Sequence, residues 1–292
     1  MMRFVTGLVL VSLLMAGLWS CGPRAPQESF TVGTALIGSS DAVFDVAAGL
    51  AQLYQAQYST AFVSVYRHET RSLIDTLISQ RADEIFIDRA LTPAETTAFA
   101  QQGLKLYTYG ICYYPVYFMV DTVIGVADID SAGLRGILTG QITNWKQMGG
   151  QDRTITPFLP LPGTGAWTTI MDYYGELDSL VAVPCSTDTR MLDLARGDPG
   201  AFLVYSHPPE EIHRYTRLRW AVDELRIPAN VKRILESPIY PFMMEFTYAT
   251  TRSKHDVAAG FLTFLMATPG QRYCMEQGYR PAAAPVRVVH SK

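Results

Sequence analysis

Leu104–Val120 reads LKLYTYGICYYPVYFMV, a long apolar and aromatic run broken by Pro115. Proline removes a ladder donor, so the run is expected to form either two strands or one strand passing between lobes. Tyr240–Thr250, YPFMMEFTYAT, has the same character and is expected to be a second crossing. Between them lies a complete α/β set. Two crossings that flank an inserted α/β unit predict two lobes with a cleft. The first lobe is expected to be discontinuous, about 29–118 plus 244–290, and the second to span about 119–243.

Working outward, strands alternate with helices. Phe30–Leu36 is strand-like and runs into Gly38-Ser39-Ser40-Asp41. A helix follows from about Ala42 to Gln57, with Phe44, Ala47, Leu50, Leu53 and Tyr54 at helical spacing. Phe62–Tyr66 is a β-branched strand, Thr70–Gln80 a helix, and Glu84–Asp88 a strand ending in a carboxylate. Thr92-Pro93-Ala94-Glu95 carries a helix-start signature: an N-cap hydroxyl, proline at the first position and a capping-box Glu. In the second set, Ile155–Leu159 is a strand, Pro162-Gly163-Thr164-Gly165 a turn, and Ala166–Tyr174 a helix. One helix per crossover predicts mainly parallel sheets with helices on both faces. Ligands in such sheets sit beyond the carboxyl ends of the strands, where Asp88 and the Gly38–Asp41 turn fall. Two readings of that turn stay open: an ordinary N-cap by Ser40 or Asp41, or an anion seat at a helix N-terminus.

The chain has 292 residues, 48% apolar and 17% charged, with a formal net charge of −3. That composition supports a large core and lacks the basic excess of a nucleic-acid binder. Arg3 precedes an uncharged run, Phe4–Ser20, read as a secretory signal over 1–20. Cys21 then opens a loose linker, 21–28. Leu18-Trp19-Ser20-Cys21 resembles a bacterial lipoprotein box, which would make Cys21 the lipidated residue; an uncleaved membrane anchor is the alternative. Either way the body is expected outside the cytoplasm. Cys112, Cys185 and Cys274 show no CxxC spacing, which excludes a common zinc motif and leaves one disulfide or buried free thiols.

No nucleophile elbow and no phosphate-cradling Walker loop is present. Leu161-Pro162-Gly163-Thr164-Gly165 matches a sortase signal, but its internal position rules that out. His68-Glu69 lacks metalloprotease spacing. Nothing in the sequence points to catalysis, a metal or a cofactor.

Ala132–Gly150, AGLRGILTGQITNWKQMGG, divides the two halves and reads as a short helix, a Gly140 stop, and a turn around Trp145. Its Leu134–Gly150 portion resembles the "IF-G-ITNW-D-GG" stretch of the periplasmic phosphate-binding proteins of ABC phosphate importers. Ile87–Glu95, IDRALTPAE, is similar to that family's "SRPLT–E" segment, and Gly38–Asp41 to its first anion-binding turn. Thr268–Pro281 resembles its "S–GQ–––GY–P" ending. The resemblance runs from about Phe30 to Pro281 and implies the two-lobed type II periplasmic-binding-protein fold. It implies a non-enzymatic, lipid-anchored monomer that binds phosphate or a similar small anion and serves an ABC permease.

The resemblance also implies a site. Asp88 aligns with the family's carboxylate, which can accept only from an oxyanion that keeps a proton, so it admits phosphate and rejects sulfate. Ser39, Ser40, Thr70, Gly163, Thr164 and Gly165 are the expected donors, with Arg71 and Arg89 as expected charge partners. Two positions depart from the pattern. The second anion turn, Arg67–Ser72, carries Glu69, and Leu159 stands where the family has arginine. A sensor or protein-binding role for an eroded site is the alternative these departures suggest.

Overall fold

A computed structural model describes residues 28–175, 177, 179–207, 214–252 and 255–283. The signal-like run and Cys21 lie outside the described residues. From the N-terminal side the chain forms β1 (Gly33–Ser39), α1 (Asp41–Gln57), β2 (Ala61–Arg67), α2 (Thr70–Ile78), β3 (Glu84–Ile87) and α3 (Pro93–Gln101). It then runs through β4 (Tyr107–Pro115), β5 (Tyr117–Asp121), β6 (Asp128–Asp130), α4 (Ser131–Leu138) and β7 (Thr156–Pro160). Next come α5 (Gly165–Tyr174), β8 (Val183–Cys185), α6 (Asp188–Ala195), β9 (Ala201–Tyr205), β10 (Tyr215–Arg217), β11 (Arg219–Val222) and β12 (Leu225–Ile227). The last elements are α7 (Val231–Glu236), β13 (Met243–Thr250), α8 (Val257–Met266), α9 (Thr268–Glu276) and β14 (Arg280–Pro281).

Two main sheets result. The first has the order β14-β4-β13-β3-β1-β2 and the second β10-β5-β9-β7-β8; β12-β11-β6 forms a small third sheet. Where a helix carries the crossover, neighbours are parallel: β1 with β2 and β3, β7 with β8 and β9. The long crossing strands add antiparallel pairs, β13 with β3 and β4, and β5 with β9 and β10. The sheets are therefore mixed. A chain that enters a second lobe and returns must run back against its outward strand.

Pro115 does separate two strands. β4 belongs to the first sheet and β5 to the second, with Val116 alone between them. Val116 is buried and its N–H donates to Phe242 O at 2.9 Å, so the outgoing and returning chains are tied at the crossing. The Tyr240 hydroxyl donates to Val116 O at the same place.

Side-chain alternation shows why helices cover both faces of the first sheet. Phe86 packs with Ile37, Val43, Val46 and Leu50 on the α1 side. Its neighbours Ile85 and Ile87 point the other way, into a cluster with Leu73, Leu77 and Phe99 from α2 and α3. The α3 start is as the sequence predicts: Thr92 accepts from Glu95 N, Pro93 occupies the first turn, and Glu95 returns a bond to Thr92 N.

The Ala132–Gly150 stretch forms α4, a left-handed Gly140 at φ 74°, a 3-10 turn over Trp145–Met148, and a left-handed Gly149 at φ 79°. Trp145 is fully buried and its Nε1 donates to Gly200 O at 2.9 Å. The stretch is core architecture. Cys112, Cys185 and Cys274 are buried free thiols. No helix among the described residues is long and apolar enough to cross a membrane.

Candidate functional site

The carboxyl ends of parallel strands from both lobes meet in the cleft. β1 ends at Ser39, β3 at Ile87 and β2 at Arg67; opposite them β7 ends at Pro160, β8 at Cys185 and β9 at Tyr205. Four helices begin there, and their first turns wall one cavity of about 100 Å³. α1 brings Asp41 and Ala42, α2 brings Thr70 and Arg71, α5 brings its cap Thr164, and α6 brings its cap Thr187 and Asp188. The first N–H groups of a helix have no partner within it, and the helix dipole is positive at that end. Four such ends around one small space favour negative charge there.

Asp88 is the hub of this wall. It follows β3, is 3% exposed, and spans the cleft. Its Oδ1 accepts from Thr70 Oγ1 at 2.7 Å, and its Oδ2 accepts from Gly165 N–H at 2.7 Å. Thr70 lies in the same lobe and Gly165 in the other. Glycine is required at 165, because a Cβ there would overlap the Asp88 carbonyl oxygen. Gly163 adopts φ 88°, a left-handed conformation suited to glycine, and Thr164 caps α5 by accepting from Trp167 N at 3.4 Å.

The other expected site residues divide. Thr70, Asp88, Gly163, Thr164 and Arg71 line the cavity, and Gly165 touches it through Asp88. Ser39 and Ser40 are buried beneath the α1 turn rather than on the cavity wall: Ser39 Oγ donates to Ser40 O, and Ser40 Oγ has no partner. That turn offers backbone N–H groups, not hydroxyls. Arg89 is not brought to the cavity. Its guanidinium makes a two-pronged pair with Glu95 at 2.7 and 2.8 Å, and its Nε donates to Gly163 O at 2.7 Å. It braces the lobes and does not line the cavity. Arg71 is exposed, lines the cavity, and has no ion-pair partner among the described residues. Leu159 is core on β7, while Glu69 reaches the cavity rim.

The sequence reading missed one cluster. Asp188 is 4% exposed, and its Oδ2 accepts from Ser206 N, Ser206 Oγ, His207 N and His207 Nδ1 at 2.7–3.0 Å. His207 Nε2 lies 3.0 Å from Asp41 O and so joins the second lobe to the first. Burial works against a charge on His207. The hydrogen bond to Asp188 and the fields of Asp188 and Asp41 outweigh it and push the imidazole up to about 9. Burial also raises the Asp41 carboxyl, while His207 and Arg67 pull it back. The available signal was Ser186-Thr187-Asp188, a polar turn between a strand and a helix, the same grammar as Gly38–Asp41.

Known proteins share this architecture. A model of the PBP superfamily domain matches residues 24–268. The chain belongs to the PBP superfamily. Among curated proteins, the phosphate-binding protein PstS of Bacillus subtilis (strain 168) is 26% identical over 161 residues, 54% of this chain and 51% of that protein. The match thus spans about half the length of that relative. Among solved structures, a Clostridium perfringens protein described as a phosphate ABC transporter substrate-binding protein, with phosphate bound, superposes with a TM-score of 0.75 at 18% identity. It covers 86% of this chain and 100% of that one. An ABC-type phosphate transport receptor from Vibrio cholerae gives 0.66 at 21% identity, covering 85% of this chain and 100% of that one. At such identities the superpositions carry the fold: this PBP-superfamily chain has the two-lobed type II architecture.

Proposed function

We propose that this protein captures phosphate, or a related protonated oxyanion, outside the cytoplasm and delivers it to an ABC permease without chemical change. The observation that carries the reading is the convergence of four helix N-termini on one cavity closed by Asp88. The cavity's volume, about 100 Å³, is roughly three waters' share of liquid. It suits a single tetrahedral ion and is below the roughly 300 Å³ at which pockets for larger ligands begin. Neutral N–H groups would hold the oxygens, and Asp88, steadied by the Thr70 hydroxyl, would accept the ligand's proton. Arg71 would supply the side-chain charge. The curated relative named for phosphate binding supports the reading. So does Cys21 in a lipoprotein-like box, which would hold a monomer at the membrane beside its permease.

Titration calorimetry with phosphate and sulfate near neutral pH tests this. Heat with phosphate and none with sulfate is the expected result; no heat with phosphate would end the proposal. The second reading, a sensor or protein-binding role, is favoured by one feature: Asp41, Glu69, Asp88 and Asp188 all border the cavity. A ligand other than an oxyanion, found by screening, would establish it.

A further inference from the structure

Two buried aspartates that line the cavity, Asp88 and Asp188, are not equivalent. Asp88 carries one donor on each carboxylate oxygen, so each keeps one lone pair. Asp188 is lopsided. All of its donors converge on Oδ2, and among the described residues none reaches Oδ1. The side chain is more than nine-tenths buried and lines the anion cavity. A carboxylate oxygen without a protein donor, on a residue that lines the cavity, is free to accept from a ligand.

Another anion beside Asp188 would be repelled unless two conditions hold. The charge on Asp188 must be offset, and the incoming oxygen must bring a proton. His207 meets the first, because its Nδ1 is 2.9 Å from Asp188 Oδ2 and its other nitrogen faces Asp41. The ligand must meet the second. We propose that Asp188 is a second proton-reading carboxylate, and that with Asp88 it makes the site selective for a tetrahedral oxyanion bearing two protons, the dihydrogen phosphate ion. His207 is the positioning residue that allows it. This deepens the phosphate reading above and rests on it.

The consequence is a proton count. A one-proton oxyanion can satisfy Asp88 or Asp188 but leaves the other acceptor facing an acceptor. A two-proton oxyanion satisfies both and carries one negative charge, which suits a cavity with carboxylates at Asp41, Asp88, Asp188 and Glu69 and a single lining cation, Arg71, among the described residues. Arg67 lies behind Asp41 at 3.1 Å and completes the charged groups around His207.

Calorimetry of phosphate binding from about pH 6 to about pH 8.5, in two buffers of different ionisation enthalpy, tests this. Above the second ionisation of phosphate, the wild-type chain should take up about one proton per phosphate, and its affinity should fall about tenfold per pH unit. Asp188→Asn should remove most of that slope, and His207→Gln should weaken binding at low pH while leaving uptake of the ligand proton. Binding without proton uptake at alkaline pH would overturn the proposal, whatever the variants do. A slope unchanged in a folded Asp188→Asn would show that the second proton is read by another group and would also overturn it. Should Asp188→Asn not fold, the same slope is read in Asp188→Ser, and absence of uptake in the wild-type chain overturns the proposal in either case. No binding of phosphate at any pH would instead remove the phosphate reading itself.

Discussion

Gly165 N–H donates to Asp88 Oδ2 at 2.7 Å across the cleft, and Asp88's own backbone oxygen leaves no room for a side chain at 165. One lobe presents a carboxylate, the other a helix N-terminus, and their contact closes the cavity. Closure then depends on a backbone approach that only glycine permits.

Gly165→Ala should therefore hold the lobes apart without unfolding either. We expect phosphate affinity to fall at least about tenfold, equal to about 1.4 kcal/mol, with the melting temperature changed little. Calorimetry together with the radius of gyration from solution scattering checks it. Unchanged affinity would show that the 165 contact is not needed for capture.

His207 gives a pH-dependent tie between lobes. Its imidazole is pushed from 6.5 up to about 9 in the fold, so its contribution to stability is fully present below about pH 6.5 and disappears as pH rises through about 9. The difference is on the order of 2–3 kcal/mol. His207→Gln should melt well below the wild type at acid pH, and the two curves should converge at alkaline pH. Melting temperatures measured across that window decide it.

Glu84 behaves oppositely to a surface carboxylate. Burial raises it from 4.5 to about 7, against the nearby Thr250 and Tyr248 hydroxyls, which lower it. Because the raised value belongs to the folded state, stability is present at low pH and is lost as pH rises from about 4.5 through about 7. Glu84→Gln should abolish that loss and stabilise the chain at about pH 8 by up to roughly 3 kcal/mol. Denaturant unfolding of both proteins on either side of the window measures it.

The Arg89–Glu95 pair is structural, with Arg89's side chain 7% exposed. Glu95→Ala leaves a buried guanidinium without its carboxylate and should cost about 3 kcal/mol. The double variant Arg89→Met, Glu95→Leu should recover most of it, because the unpaired charge is gone. A double-mutant cycle by chemical denaturation tests this; additive losses would show that the two do not act as a pair.

The sequence by itself determined the alternation of strands and helices, the break at Pro115, the Thr92–Glu95 helix start, and the two crossings. These are local or periodic properties. Proline geometry, capping chemistry and the spacing of Leu50, Leu73 and Leu77 act within a few residues and are legible along the chain. It also placed Asp88 and the Gly38–Asp41 turn at strand ends, where such folds put ligands.

Only the tertiary structure decided how those ends meet. Arg89 reads as an available cation until Glu95 and Gly163 O claim its donors from positions 6 and 74 residues away. Ser39 and Ser40 read as hydroxyl donors until β1 buries them under the α1 turn. Asp188 and His207 are coupled by the packing of the second lobe, and the tie from His207 to Asp41, 166 residues earlier in the chain, exists only because two lobes close on one cavity. Electrostatic and hydrogen-bond partners are set by distance in space, which the order of residues does not encode.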